Sequence, residues 1–498
     1  MRSGGSLMDQ DKFGLVLVLI SSVLLGIWAT MNTIALRNVL LWVGVLIALA
    51  YWWNWFKTNK ANHTLPSLSG LYWLAVILIT LMFIWVVIHY FLFAQNPQQQ
   101  FSELKSTWLR SLLAVIIGSA TGLALNRNPR FMPWLWLGLL LSFVVLLYQY
   151  IPKALVKQNL FAVDHFGDYI FWAKFNGVLA GTILIAGLLG LLMDSIWRNK
   201  AGGNTIALGI TADQKTTVHP NSAVVKVRQM SGIAIPIYVF VGICIAAYAF
   251  VFIFDAKAGV GMAIILITLW LGIGLLFILK NAVSEQDKKR RMAFLTKSLI
   301  FFIMVAVCLF WFTAKHIKNN PGWGSLFEDV AISAQIDTHD AWKGNGTGTA
   351  LPLRKDGTPV AGNTYERVAF ATLGMRLIAL NTLGNGSLRS FRDDVKKIEP
   401  NYNNHHYTHS AWIDLGLSFG LPGLFFLPIA FISLLVCAAL NSQIRFRASI
   451  ITMAIAILIL YLVGEYAFGH SVEILFYLAG LLCGLTLVDY AKLRPRPA

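Results

Sequence analysis

Three histidines, His405, His406 and His409, fall within five residues of one another in the string NNHHYTHSAWIDLGLSFGLPG, Asn403 to Gly423. Grouped imidazoles suggest a metal. Yet no Cys is near, and the carboxylates Asp393, Asp394 and Asp414 stand at no recognised metal-ligand spacing, so no metal is expected. Proton transfer is the second chemistry open to this string. His409 lies just before an apolar run, and an imidazole with an unperturbed pKa of about 6.5 suits taking a proton from a hydroxyl at neutral pH. The plain alternative makes His409 a helix-entry residue with Ser410 as N-cap.

Cations accompany it. Lys153, Lys157, Lys174, Lys257, Arg367, Arg376, Arg389 and Arg392 fall outside or at the ends of the apolar runs, on the face that also carries the histidines. Fixed cations at a membrane surface hold a lipid-linked phosphate or diphosphate, Arg by bidentate hydrogen bonding. The alternative is that each is solvated or paired with lipid headgroups.

These residues must be positioned by membrane helices. The chain has 498 residues, of which 57% are hydrophobic and only 13% charged, where a soluble domain carries roughly 25% charged residues. Mean hydropathy is +0.65. Apolar runs recur that are long enough to cross a hydrocarbon core of about 30 Å, and in lipid such runs satisfy their backbone as helices. The expectation is an all-α polytopic membrane protein with about twelve spans, near 13–33, 38–56, 70–94, 107–125, 131–150, 172–194, 233–254, 258–279, 294–314, 421–440, 447–464 and 470–489. The segment MRSGGSLMDQDK is not laid out as a cleaved signal, so the first run is read as a retained span.

The net charge of +17 does not point to nucleic acid. With the N-terminus inside, every inner connection is basic: Lys57 and Lys60, Arg127 and Arg130, Arg198 to Arg228, Lys288 to Arg291, Arg445 and Arg447, and the tail with Lys492, Arg494 and Arg496. The short outer connections are poor in cations, with Arg37 after the first span and none between Glu465 and His470. This is the positive-inside pattern. It places both termini in the cytoplasm and a long polar loop outside, on the periplasmic face in a bacterium. The four cysteines, Cys244, Cys308, Cys437 and Cys483, all lie in apolar runs, so no disulfide framework is expected. No internal repeat or matching pair of interrupted helices appears, although many secondary transporters show one. Ionisable residues within spans are few (Lys174, Lys297 and Glu473) and lie near span ends, where snorkelling accounts for them.

The chain divides into residues 1–314 with nine spans, a large loop at 315–410 carrying the reactive residues, and 411–498 with three spans and a tail. Residues 315–362 are rich in Gly, Asn, Asp and Thr and read as turns or irregular structure. Thr364 to Leu383 then shows apolar residues at helical spacing, with Glu366 in a first turn, and predicts an amphipathic helix on the bilayer or packed under the loop. Gly384 and Gly386 allow a tight turn after it.

The stretch His409 to Gly423 resembles the signature of the bacterial O-antigen ligase superfamily: a His, a small polar residue, an aromatic, a Leu-rich helix, then Gly-Leu-x-Gly opening the next span. His409, Ser410, Trp412, Gly420, Leu421, Pro422 and Gly423 fill that pattern. The family more often has Asn where this chain has Ser410. Upstream, Arg367, Gly384, Gly386 and Phe391 are similar to the family's Arg, short amphipathic helix and Gly-x-Gly turn with a following Phe. Phe370 stands where the family usually has Trp, and Asn381 or Thr382 replaces its Pro. Trp172 to Gly181 is similar to a basic stretch that opens a span, with Lys174 as the basic residue. DAKAGVGMA is similar to a Ser-Arg-Gly stretch, with Lys257 in place of Arg.

The resemblance implies a GT-C-like glycosyltransferase of the bacterial inner membrane with a periplasmic site. It would transfer a glycan from undecaprenyl diphosphate to lipid A-core oligosaccharide, inverting the anomeric carbon without metal or other cofactor. His409 would act as base, and Lys174, Lys257, Arg367 and Arg389 would hold the diphosphate. O-antigen polymerisation and protein O-glycosylation are alternatives within the superfamily. A transporter or flippase is a further one, which would require polar residues lining a path through the membrane.

Overall fold

The computed structural model describes residues 5–30, 33–61, 69–156, 174–201, 234–284, 288–319, 323–344, 350–402 and 404–487, in places by backbone alone. Lys157, Trp172, most of the 195–232 connection and the cationic tail lie outside the described residues, as do the side chains of Lys60, Arg198, Lys288 to Arg291 and Lys297.

Sixteen α-helices account for almost all of the regular structure among the described residues. In chain order they are α1 Gly5–Trp28, α2 Ile34–Ala61, α3 Gly70–Leu92, α4 Pro97–Glu103, α5 Leu109–Arg127, α6 Met132–Val156, α7 Lys174–Ala201, α8 Ala234–Tyr248, α9 Lys257–Ser284, α10 Lys288–Asn319, α11 Leu326–Ser333, α12 Gly362–Leu380, α13 Phe391–Lys396, α14 Ala411–Leu440, α15 Arg447–Val463 and α16 Gly469–Thr486. Ten helical stretches among the described residues are long and apolar enough to cross a membrane. The other two expected spans fall on α10 and on α15, an apolar helix of 17 residues. The architecture is that of an all-helical, multi-pass membrane protein.

Without a hydrophobic drive between helices in lipid, close packing needs small residues at the seam. The α5–α16 seam provides them at four-residue spacing on both helices: Gly118 and Gly122 face Gly480 and Gly484. A Cβ on Gly118 would stand 2.1 Å from Tyr477 O, and one on Gly480 would stand 2.2 Å from Val115 O. The two backbones therefore touch.

Two π-helical turns interrupt this regularity, Leu104–Trp108 ahead of α5 and Ala249–Ile253 after α8. Such turns often mark functional sites. The second leads directly into Asp255, held at φ 43°.

The large loop is more ordered than its turn-rich composition suggests. It contains α11, a 3₁₀ turn at Asp340–Lys343, and α12. The amphipathic helix begins at Gly362, so Glu366 lies beyond the first turn rather than within it. Its apolar face does not lie on lipid. Tyr365, Phe370, Leu373 and Leu377 are buried in a second core with Trp342, Phe391, Tyr402 and Ile413.

Helix α14 breaks once, at Phe419 (φ −128°) and Gly420 (φ 68°). The break is filled by the Gly384–Gly386 turn. The carbonyls of Leu417 and Ser418, freed from the helix, accept from Asn385 N (3.1 Å) and Gly386 N (2.7 Å), and Leu421 N donates to Thr382 O at 2.9 Å. Trp85 Nε1 donates to Phe419 O at 2.8 Å. Three carbonyls and one N–H at the break thus find partners outside the helix, as burial in an apolar setting demands. A Cβ on Gly420 would lie 2.0 Å from Thr382 O, so glycine is required there both for space and for φ. The glycine turn and the Gly-Leu-Pro-Gly string, distant in sequence, are one structural unit.

Snorkelling does not describe Glu473. Its side chain is fully buried and takes hydrogen bonds from Trp28 Nε1 (2.9 Å) and Arg110 Nε (2.6 Å), with Arg37 Nε at 3.3 Å. Two arginines and a carboxylate are paired inside the bundle, as intramembrane charges generally are.

Candidate active site

The site forms where the heads of α7, α9 and α14 meet the α15–α16 connection beneath α12. His409, just before α14, has a left-handed backbone (φ 62°) and is 8% exposed. Asp255 is the other non-glycine residue with positive φ among the described residues. Both border the same cluster of charges. A strained backbone held by its surroundings is typical of functional sites.

The His409 ring is fixed on two sides. It stacks on Phe370 at 5.9 Å between centroids and 11° between planes. Its Nδ1 meets Oε1 of Glu465. A carboxylate on Nδ1 keeps the proton there and leaves the Nε2 lone pair open. Nε2 has no hydrogen-bond partner among the described residues. His409 is therefore a buried imidazole with one nitrogen against a carboxylate and the other enclosed by protein, without a hydrogen-bond partner among the described residues.

Beneath it, Thr408 donates its backbone N–H (2.8 Å) to Oδ1 of the buried Asp414, and its hydroxyl lies 2.9 Å from the same oxygen. Ser410 sits at the N-cap position of α14, but its side chain makes no capping hydrogen bond. The helix head is held instead by Ala411 N donating to Gly464 O at 2.9 Å.

The α15–α16 connection organises the cations as well. Arg367 donates to Val463 O at 2.9 Å. Tyr466 donates from its hydroxyl to Phe175 O at 3.3 Å, next to Lys174. Lys174 Nζ donates to Asp255 O at 2.8 Å. Lys257 and Arg367 both lie within electrostatic range of Lys174. His316 Nε2 is 3.6 Å from Asp255 Oδ1, while its Nδ1 accepts from Trp323 Nε1 at 3.1 Å, which assigns the ring proton to Nε2. Three of the four expected diphosphate-binding cations, Lys174, Lys257 and Arg367, thus share one electrostatic neighbourhood, and the connection holding Arg367 also holds His409.

Arg389 joins by another route. It follows the glycine turn locked into α14, and its charge acts on Glu103, His406 and Tyr407. Burial pushes the Tyr407 hydroxyl up to about 12. Of the remaining cations, Arg376 forms a bidentate pair with Asp337 and stands away from this cluster.

His405 and His406 part company. His405 Nε2 lies 3.7 Å from Glu366 Oε2, and its ring centroid is 5.1 Å from that of His409. Hydrogen bonding to Glu366 raises the His405 pKa, and His405 in turn lowers that of Glu366. His406 points elsewhere and, by desolvation, is lowered.

Glu465, Asp255, Tyr466 and Glu366 are the site residues that sequence reasoning missed. The one signal available was the connection Glu465 to His470, noted only for its lack of cations. No family model and no curated protein matches the chain.

Proposed function

We propose that this chain is a membrane glycosyltransferase of the O-antigen ligase type, working at the periplasmic face of the bacterial inner membrane with both termini cytoplasmic. Its donor is a glycan on undecaprenyl diphosphate and its acceptor is lipid A-core oligosaccharide. The observation that carries this reading is a buried histidine with Nδ1 on a carboxylate and Nε2 without a partner among the described residues, set beside three converging cations.

In the reaction, the acceptor oxygen attacks the anomeric carbon as its proton passes to His409 Nε2. The bond from that carbon to the diphosphate oxygen breaks, and undecaprenyl diphosphate departs with the electron pair. Glu465 stabilises the imidazolium that forms. Lys174, Lys257 and Arg367 meet the negative charge as it develops on the leaving group, and such preplaced charge is often the largest contribution to rate. Arg389 binds the donor from the side of the glycine turn. A single displacement inverts the anomeric configuration. None of these steps requires a metal.

The test is transfer by purified protein from undecaprenyl-diphosphate glycan to lipid A-core. Product with the wild type and none with His409→Ala supports the reading. Normal turnover by His409→Ala removes the base. Abolition by EDTA overturns the metal-free step. Product on a growing glycan or on a protein, but not on lipid A-core, reassigns the chain to polymerase or protein glycosyltransferase chemistry.

A further inference from the structure

The residues that orient His409 leave a second possibility for its open nitrogen. Glu366, His405 and His409 each offer one ligand atom, and these atoms lie within 4.8 Å of one another. Two imidazoles and a carboxylate with a fourth position left open form the donor set of zinc sites that exchange a ligand. His409 is nine-tenths buried, with Nε2 unpartnered among the described residues. Its Nδ1 contact with Glu465 is the outer-shell carboxylate that ligating histidines usually have. His405 and Glu366 are partly exposed, with side-chain exposures of 44% and 37%.

The geometry needs only a small closure. Ligands about 2.1 Å from a tetrahedral zinc stand roughly 3.4 Å apart. The fixed partner is His409, clamped between Phe370 and Glu465. The movable partners are the two exposed side chains, whose rotation supplies the remaining ångström or so.

We infer that Glu366, His405 and His409 form a binding site for a divalent transition-metal ion of the Zn²⁺ class, and that an ion there occupies the His409 lone pair. Binding itself is independent of the transfer reaction. Its consequence rests on the reading of His409 as base: a captured ion removes the proton acceptor, so zinc is an inhibitor of this chain rather than its cofactor. A metal-free rate that falls as zinc is added is the signature, the reverse of a metalloenzyme.

The experiment is a titration of the purified full-length protein, stripped with EDTA and dialysed, with ZnCl₂ by calorimetry and with CoCl₂ by visible absorption. No glycan is present. The expected result is saturable uptake of one ion per chain with a cobalt spectrum of low coordination number. His405→Ala and Glu366→Gln each weaken affinity by at least roughly tenfold, since outer-shell losses alone reach about 10–100-fold. His406→Ala, outside the cluster, keeps wild-type affinity and shows that the segment is folded. Lack of saturable uptake, or equal affinity in all four proteins, overturns the inference. In the transfer assay, zinc lowers wild-type turnover, while His405→Ala, compared with its own zinc-free rate, resists it. Because the binding arm contains no substrate, its failure leaves the transferase reading intact, and a protein that binds zinc without transferring glycan fails only that reading.

Discussion

Glu465, in the connection between the last two helices, holds Nδ1 of His409 at the head of α14. The end of α15 that leads into it accepts from Arg367 through Val463 O, and the connection itself reaches Lys174 through Tyr466 and Phe175. One short segment therefore sets the tautomer of the imidazole and the positions of two cations around it. It is rigidly placed: Gly464 O caps α14, and Tyr466 packs its ring against Tyr461 at 5.3 Å.

Glu465→Gln tests the tautomer. A glutamine amide can donate to Nδ1, which moves the ring proton to Nε2 and closes the open lone pair while changing little in volume. General-base catalysis is worth roughly 10²–10⁴-fold, and kcat is expected to fall within that range with KM nearly unchanged. His409→Ala falls at least as far. A Glu465→Gln variant as active as wild type would mean that the carboxylate does not set the base.

Arg367 and Lys174 test the charge. Each is anchored by a backbone carbonyl, Val463 O and Asp255 O respectively, so the cations are preplaced before substrate arrives. Removing one preplaced donor costs about 10²–10³ in kcat. Arg367→Ala is expected to lose activity on this scale, and Arg367→Lys to recover only part of it, because Lys lacks the fork that spans two phosphate oxygens. Kinetics of the two variants beside wild type decide the matter: Arg367→Lys as fast as wild type would show that charge alone is sensed, and Arg367→Lys no faster than Arg367→Ala would show that charge without the fork contributes nothing.

How far all this could be read from sequence depends on range. The apolar runs were legible because span length is a local property, and the amphipathic helix because its period lies within one segment. The break at Gly420 was legible as the start of a span, since Gly-Leu-Pro-Gly is a short string. What filled the break was not: nothing in Gly384 and Gly386 states that their amides meet Leu417 and Ser418 carbonyls. Glu465 was invisible for the same reason, being a lone acid in a short loop whose partner lies in another segment. Positive φ at Asp255 and His409 cannot be read from residue type alone, because Asp and His are enriched there yet adopt it only at a few positions. Arg37 and Arg110 gave no sign that they converge on Glu473.

Acid should release α12 through Asp329. This buried carboxylate takes two hydrogen bonds from Arg354, at 2.6 and 3.0 Å, and one from Ala361 N at 3.2 Å, at the head of the helix carrying Glu366 and Arg367. Arg354, chiefly, holds the Asp329 pKa below its ordinary value. A lowered folded pKa stabilises above the unfolded value of about 3.9, and that stabilisation is lost as pH falls through the folded value. Protection of the amides over residues 350–367, taken as exchange relative to the free-peptide rate at each pH, is expected to fall below about pH 4. In Asp329→Asn protection should be low already at neutral pH and should change little with acid. Wild-type protection that stays constant down to about pH 2 would contradict this.

Glu473 carries the largest expected effect on stability. Its carboxylate, wholly buried, faces Arg110 at 20% exposure and Arg37 at 6%. Glu473→Ala strands two guanidinium groups in the bundle and leaves Trp28 Nε1 without its acceptor. Removing one partner of a buried ion pair typically costs about 3–5 kcal/mol. The readout is thermal unfolding of purified protein in a single detergent, where Glu473→Ala should melt well below wild type. Replacing all three charges by apolar residues of similar volume is expected to regain most of the loss, because a well-packed apolar substitute for a buried ion network is often neutral or better. If Glu473→Ala melts with wild type, water or lipid headgroups must already solvate the arginines. If the triple replacement is as unstable as the single one, the network also fixes how α2, α5 and α16 meet, a role that apolar packing cannot take over.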